Sequence, residues 1–522
     1  MAGRTSAIHF DGVRRETVDQ PLTASIGELL TSHGDNRISV DEQIGCNTYG
    51  CTPHPQSHAI NFASSTASSI SDEALLRSQA ARDQLIVQSR YVGLKKAFTA
   101  ATEAARTELA LHLKLPRKTD IIFTASGTDA QLLALSLVRL GHGEPTSTII
   151  VGSDQTGSGS VFSGAGQHFS THTAQGAYVT RGSTISGLDS VRTLCVPFLA
   201  ESGGFRSLSE MDAAVIEAVE CEISAGRHVL LQAMDASKFG WRAPSDACLS
   251  YVAEKWRGQV QIVVDACQLR LSRTRLRTLL TKQYLVLVTG SKFFTGPAFS
   301  GAILIPPFWA GRAKGMMEPP AGLSDYSSSY DWPVDWIGIR GVLHDQPRVG
   351  QWLRWQAALE EMKLYFAVPD AMRRDTATAL THALERAISG STLLQPLPPQ
   401  PNGQSKKGQS IFSFIPTSGN APLSPQVSAS VYRALQTPIP DDENREGGLR
   451  PCHIGQPVPL GILQTAALRM SISARTIRTV WSPDARILQR NLAAQRADMA
   501  TAIARLEQAI ITSEQERNSR AI

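Results

Sequence analysis

Between residues 75 and 310 the chain keeps a rhythm that leaves few folds open to it. Short, nearly continuous apolar runs alternate there with longer helix-forming stretches. Thr148-Ile-Ile-Val, Val229-Leu-Leu-Gln, Gln261-Ile-Val-Val and Tyr284-Leu-Val-Leu-Val are such runs. A strand with no polar face must be covered on both sides, which is what helices do around a mostly parallel sheet. The reading predicts an α/β core with a mostly parallel central sheet over this range.

The flanks differ in texture. The first sixty residues are turn-rich, with Asn47-Thr48-Tyr49-Gly50 and Pro53-His54-Pro55 breaking any period. From Ser71 to Leu115 Ala, Leu, Arg and Glu dominate, as in a helix. Residues 311–350 are irregular, and a long helix is expected near Gln351 to Phe366. Pro398 to Gln409 reads as a polar linker. Ser410-Ile-Phe-Ser-Phe-Ile and Leu468-Arg-Met-Ser-Ile-Ser read as strands, and a last long helix is capped by Ser482 with Pro483 in its first turn. The expected organisation is an N-terminal segment 1–70, a large α/β domain 71–365 and a smaller α+β C-terminal domain 366–522.

Composition narrows the function classes. A net charge of +5 over 522 residues is small, and the basic run at Arg270, Arg273, Arg275 and Arg277 has no aromatic ladder beside it. A nucleic-acid partner is therefore not expected. Seven cysteines without framework spacing complete no zinc site and suit a reducing compartment. The opening Met-Ala-Gly-Arg-Thr-Ser lacks the apolar core of a signal peptide, and no apolar stretch is long enough to span a bilayer. The expectation is a cytoplasmic protein with no membrane partner and no metal.

Three features carry chemistry. Ser126-Gly127-Thr128-Asp129 follows a strand and opens a helix, where exposed N–H groups and the positive end of the dipole favour a phosphate; such a turn is also commonplace without one. Asp265 ends an apolar strand, at the sheet edge where α/β folds bind ligands, although it would equally serve as a helix cap. Lys292, in Val288-Thr289-Gly290-Ser291-Lys292-Phe293-Phe294, leaves another strand 27 residues after Asp265. Among aromatic neighbours its amine would be desolvated and nucleophilic toward an aldehyde; as an edge lysine it would simply face water. Together they are a phosphate cradle, an acid for a pyridine nitrogen and an imine-forming lysine, the parts that pyridoxal 5′-phosphate (PLP) requires.

Their order, with Val264-Asp265-Ala266-Cys267-Gln268 and with Gly296-Pro297 close behind Lys292, resembles the class V aminotransferase and cysteine-desulfurase group of fold type I PLP enzymes. His453-Ile454-Gly455-Gln456-Pro457 and Leu468-Arg469-Met470-Ser471 extend the likeness into the C-terminal part. The resemblance implies the aspartate-aminotransferase-like fold and a homodimer. It further implies that Lys292 carries the cofactor as a Schiff base and shuttles the Cα proton. Asp265 would meet the ring nitrogen and Gln268 the phenolic oxygen. Ser126, Gly127, Thr128, Thr289 and Ser291 would serve the phosphate. Arg469, with His453 nearby, would bind the substrate carboxylate.

Two departures stand out. Ile454 occupies the position of the desulfurases' catalytic cysteine, which leaves only Cys452 or Cys267 as substitutes. Gln155 or Thr156 lies where the family stacks a ring on the cofactor, with His168 and His172 as later candidates. Tyr326, Tyr330, Trp332 and Trp336 would line a pocket or form a satellite core. The leading expectation is amino-group transfer on an amino acid or amine, with PLP-dependent elimination or carbon–sulfur cleavage as the alternative. A non-catalytic PLP-fold binding protein and a dinucleotide-binding fold are further readings, and the latter lacks the Gly-x-Gly-x-x-Gly spacing.

Overall fold

The computed structural model describes residues 22–142, 145–314, 318–398, 409–419, 421–437 and 450–520. The opening stretch and most of the expected Pro398–Gln409 linker lie outside them.

The apolar runs form a seven-stranded sheet. Its members are β2 (Asp120–Thr124), β3 (Thr146–Val151), β4 (Arg192–Val196), β5 (His228–Met234), β6 (Val260–Asp265), β7 (Leu285–Thr289) and β8 (Gly301–Ile305), in spatial order β2-β8-β7-β6-β5-β3-β4. Neighbours are parallel from β7 through β4, and β8 runs antiparallel to both β7 and β2. Side chains of β5, β6 and β7 are buried on both faces, as a helix-covered sheet requires.

A six-stranded sheet makes the second layer: β1 (Ile60–Phe62), β9 (Leu394–Pro396), β10 (Ile411–Ser418), β11 (Ala421–Pro422), β12 (Cys452–Leu460) and β13 (Thr465–Ser471). Its order is β1-β12-β13-β10-β11, with β9 on β10. The N-terminal segment thus supplies an edge strand to the C-terminal sheet, β1 pairing parallel with β12. Helices Asp370–Ser389 and Ala485–Arg520 cover this sheet around Leu380, Leu384, Met499 and Leu506.

Helix Val349–Ala367 joins the parts and is buried along most of its length. Arg354 on it has no carboxylate hydrogen-bonded to it among the described residues. It donates instead to the carbonyls of Phe299 at 2.7 Å, Leu30 at 3.1 Å, Ser32 at 2.5 Å and His33 at 2.8 Å. One buried guanidinium thereby ties the N-terminal segment to the loop that follows Lys292. The segment 311–350 packs its aromatics inward: Tyr326, Tyr330, Trp332 and Trp336 are all at most 3% exposed. They join the two large cores on either face of the seven-stranded sheet, Tyr330 in one and the other three in the other, and Tyr330 also lines a small cavity with Phe98, Phe123 and Trp352.

Candidate active site

The phosphate end is built first by β2 and the helix Gly127–His142 that follows it. Ser126 caps the helix, its Oγ accepting from the N–H of Thr128 at 3.2 Å and of Asp129 at 3.3 Å. The same hydroxyl donates to Asp129 Oδ2 at 2.5 Å. Gly127 is required by packing, since a Cβ there would stand 2.7 Å from Cys267 Sγ. Over this turn lies Arg37, which the sequence reading missed. It donates through Nη1 to Thr128 Oγ1 at 3.5 Å and through Nη2 to Ser126 Oγ at 3.4 Å, long contacts that leave the guanidinium facing the helix N-terminus. Asp35 orients it through contacts of 2.9 Å to Nε and 2.6 Å to Nη2. Burial opposes the charge on Arg37, and Tyr49, Asp35 and Asp129 together more than restore it, raising its pKa. Burial pushes the Asp129 carboxyl up to about 6, with Asp35 adding to the effect.

The ring end lies on β6. Asp265 accepts from Gln131 Nε2 at 3.0 Å and from the Cys267 N–H at 3.0 Å, one donor to each oxygen, so the carboxylate plane is fixed. Gln131 belongs to the helix that opens at Gly127, which couples the two ends of the site. Gln268 sits on the same edge, but its Nε2 donates to the Ser65 carbonyl at 3.0 Å and its Oε1 accepts from Arg270. Gln155 is buried after β3; its Oε1 accepts from Ser237 Oγ at 2.6 Å, while its Nε2 has no partner among the described residues.

Lys292 leaves β7 beside Thr289 and Ser291, both buried. No hydrogen bond or ion pair engages its amine among the described residues. Thr289 Oγ1 donates to the Cys267 carbonyl at 2.7 Å and so holds the two strand ends together. The loop is pressed against helix Val349–Ala367: a Cβ on Gly290 would lie 2.5 Å, and one on Gly296 2.7 Å, from Ala358 Cβ. Thr295 holds a left-handed backbone, φ 56°, between them.

Arg469 enters from β13, wholly buried. Its Nη2 donates to Thr66 Oγ1 at 3.0 Å and to the Gln456 carbonyl at 2.8 Å, and its Nη1 to the Lys238 carbonyl at 3.3 Å. Its Nε–H has no partner among the described residues. Burial lowers its pKa to about 10. His453 on β12 is buried with Nε2 likewise unpartnered, and desolvation, with His58 adding to it, brings it down to about 4. Lys238 is a second residue the sequence reading passed over. It follows β5 as Lys292 follows β7, so the same signal, a lysine just past an apolar strand, marked both.

Of the two thiols the sequence offers as substitutes, Cys452 stands apart from this chemistry and Cys267 lies within it, beside Asp265 and Lys292. Cys452 is 1% exposed in the core of the smaller sheet, and Cys267 lies under Gly127 with its pKa raised by burial. His168 is paired with Tyr326 at 2.6 Å and His172 packs on Tyr178. Among the described residues no His, Cys, Asp or Glu cluster could hold a metal, and no helix is long and apolar enough to cross a membrane. A cavity lined by Leu30, Cys51, Pro53 and Pro297 borders the site only through the loop after Lys292.

No family model and no curated protein sequence matches the chain. Solved structures do. The cysteine desulfurase CsdA from Escherichia coli is 12% identical, covering 88% of this chain and 96% of that one, with a TM-score of 0.51. A NifS-like protein is 14% identical over 84% and 98%, TM-score 0.52. A variant of C-DES with glycine covalently linked to its PLP cofactor is 13% identical over 84% and 97%, TM-score 0.50. The chain therefore has the fold type I architecture, with the cysteine-desulfurase-like arrangement that the resemblance implied.

Proposed function

We propose that this protein is a PLP-dependent enzyme acting on the amino group of an amino acid or amine, with Lys292 as the cofactor-bearing residue. One observation carries the reading. A helix N-terminus under a guanidinium, a carboxylate held by two N–H donors and a lysine without a hydrogen-bond partner among the described residues share one edge of the sheet. The donor set fits PLP: Arg37, the Thr128 hydroxyl and the helix start suit a phosphate, and Asp265 suits a protonated pyridine nitrogen.

When bound, PLP supplies an electron sink for the pair left at the substrate Cα. Gln131 and the Cys267 N–H keep Asp265 aligned and stabilise its charge, so that it holds the proton on the ring nitrogen. Lys292, once free of the cofactor, takes and returns the proton at Cα. Arg469 keeps its Nε–H for a carboxylate while Nη1 and Nη2 hold it to Lys238, Thr66 and Gln456, a fixed planar donor that lysine would not reproduce. Gln155, whose buried Nε2 has no partner among the described residues, takes in this reading the place of the family's stacking ring. A homodimer and the division at residues 70 and 365 belong to the same proposal.

The reaction we favour is amino-group transfer. Carbon–sulfur cleavage is the second reading, favoured by the fold shared with CsdA. The burial of Cys452 and Cys267 speaks against a persulfide formed on either thiol. Purified protein with PLP, offered amino acids singly, separates the two. A cofactor band that bleaches as a keto acid is released identifies transfer. A band that persists while pyruvate, ammonia or sulfide accumulates identifies cleavage, and no cofactor band even in excess PLP overturns the proposal.

A further inference from the structure

The cleft holds more positive charge than a cofactor and one carboxylate account for. Lys238 is fixed by its backbone, its N–H donating to the Gln155 carbonyl at 3.0 Å and its carbonyl accepting from Arg469. It therefore stands between the residue expected over the cofactor and the residue expected to grip substrate. Its ammonium has no hydrogen-bond or ion-pair partner among the described residues. Asp154, the carboxylate it feels, is committed through both oxygens to the N–H groups of Phe198 at 2.8 Å and Leu199 at 3.0 Å. Arg270 adds a further, partly buried cation whose hydrogen-bond partners are all neutral: Ser410 Oγ, Ser64 Oγ, Gln268 Oε1 and the Ile472 carbonyl. Beside these, Gln155 Nε2 and Arg469 Nε are buried donors with no acceptor among the described residues. Unsatisfied buried donors are costly, so these two, joined through the Lys238 backbone and beside its unpaired ammonium, point to a ligand rich in acceptors.

With Lys292 committed to the cofactor and Arg469 to an α-carboxylate, Lys238 remains. We propose that the substrate is an amino acid with a second carboxylate on its side chain, and that Lys238 pairs with that group. The inference rests on the PLP reading above and deepens it by naming the substrate class. Burial first, then Arg469 and Lys292, lower the Lys238 pKa to about 7, against the opposing charge of Asp154. An anion bound beside it reverses part of that shift and favours the charged form. The selectivity for acidic ligands is therefore present below pH 7 and is lost as pH rises above it.

The test uses the full chain loaded with PLP, with dicarboxylates and a monocarboxylate of similar size as probes. Calorimetric titration should find succinate or glutarate bound about 30-fold more tightly than butyrate, the scale of one charge-assisted hydrogen bond. Lys238→Met should collapse that ratio to about 3 or less, and Lys238→Arg should keep most of it. Equal binding of the acids, or an unaltered ratio in Lys238→Met, overturns the proposal. Should the variant not fold, the wild-type ratio measured from pH 6 to 9 serves instead: a fall across that range supports Lys238, and a flat profile overturns it. The cofactor absorbance of the same samples keeps the two readings apart. A normal band without dicarboxylate preference removes the role of Lys238 and leaves the PLP reading standing; no band removes the PLP reading itself.

Discussion

Arg37→Met is the substitution whose effect the geometry defines most sharply. The guanidinium faces the N-terminus of helix Gly127–His142 and touches Thr128 and Ser126 only through long contacts, so the two N–H groups spent on those hydroxyls are the ones a phosphate there would take. Charge-assisted hydrogen bonds of this kind contribute roughly 1.5–3 kcal/mol, which at about 1.4 kcal/mol per decade is a 10- to 150-fold change in PLP affinity. Two features of the site shift the effect within that range. Asp35 already takes Nε and Nη2, which dilutes the charge and pulls the effect toward the lower end. Without Arg37, however, Asp35 and Asp129 are left facing a phosphate dianion, which pulls it upward. A loss of about 30-fold is expected, measured by titrating cofactor-free protein with PLP and following the absorbance of the complex. Pyridoxal, which has no phosphate, is the control and should bind wild type and variant alike. Asp35→Asn keeps the acceptor for the Arg37 N–H but removes a charge, and should bind PLP as tightly as wild type or more so. Unchanged PLP affinity in Arg37→Met, or an equal loss for pyridoxal, refutes the placement of the phosphate.

Further outcomes follow from the same geometry. Asp129 has its folded pKa raised to about 6 from an ordinary 3.8, so its favourable contribution to stability is present below about pH 4 and is lost as pH climbs through 6. Asp129→Asn should therefore be more stable than wild type at pH 7.5, by up to roughly 3 kcal/mol, with the gap narrowing to about 1 kcal/mol at pH 4.5; denaturant melts at the two pH values check this. Gly290→Ala drives a methyl to 2.5 Å from Ala358 Cβ, and should cost about 1–3 kcal/mol in the same melts, partly restored by adding Ala358→Gly. Arg469→Lys should raise KM for amino acids at least about tenfold with a smaller change in kcat, because one ammonium cannot hold Thr66, Gln456 and Lys238 and still present the fixed Nε–H.

The sheet was legible because its strands are apolar on both faces, a pattern that few folds other than a helix-covered sheet produce. The loops at its edge were legible where they carried chemistry that local order reveals: a small-residue turn after β2, a carboxylate ending β6, a lysine leaving β7. Strand β8 escaped notice because Gly301-Ala-Ile-Leu-Ile directly follows the lysine loop and reads as its continuation. Strand β1 escaped because three residues in a turn-rich segment form a strand only when β12, nearly 400 residues later, lies beside them. Arg37 is the same case in chemical form. Nothing local marks it, and its segment is brought over the phosphate turn by distant partners: the carbonyls held by Arg354, the Asn36 contacts to Ser170 and Thr171, and the rings of Phe169 and Phe299. Lys238 was within reach of the reasoning applied to Lys292, and was passed over because no resemblance singled out its position.

The presence of two lysines in one cleft makes the decisive measurement simple. Protein incubated with PLP is reduced with borohydride, digested, and its peptides weighed to locate the cofactor that has become irreversibly attached. The account predicts the added mass on Lys292 alone, with Lys238 unmodified and the adduct absent from Lys292→Ala. Attachment at Lys238 or at any other lysine, or no attachment at all, would contradict it.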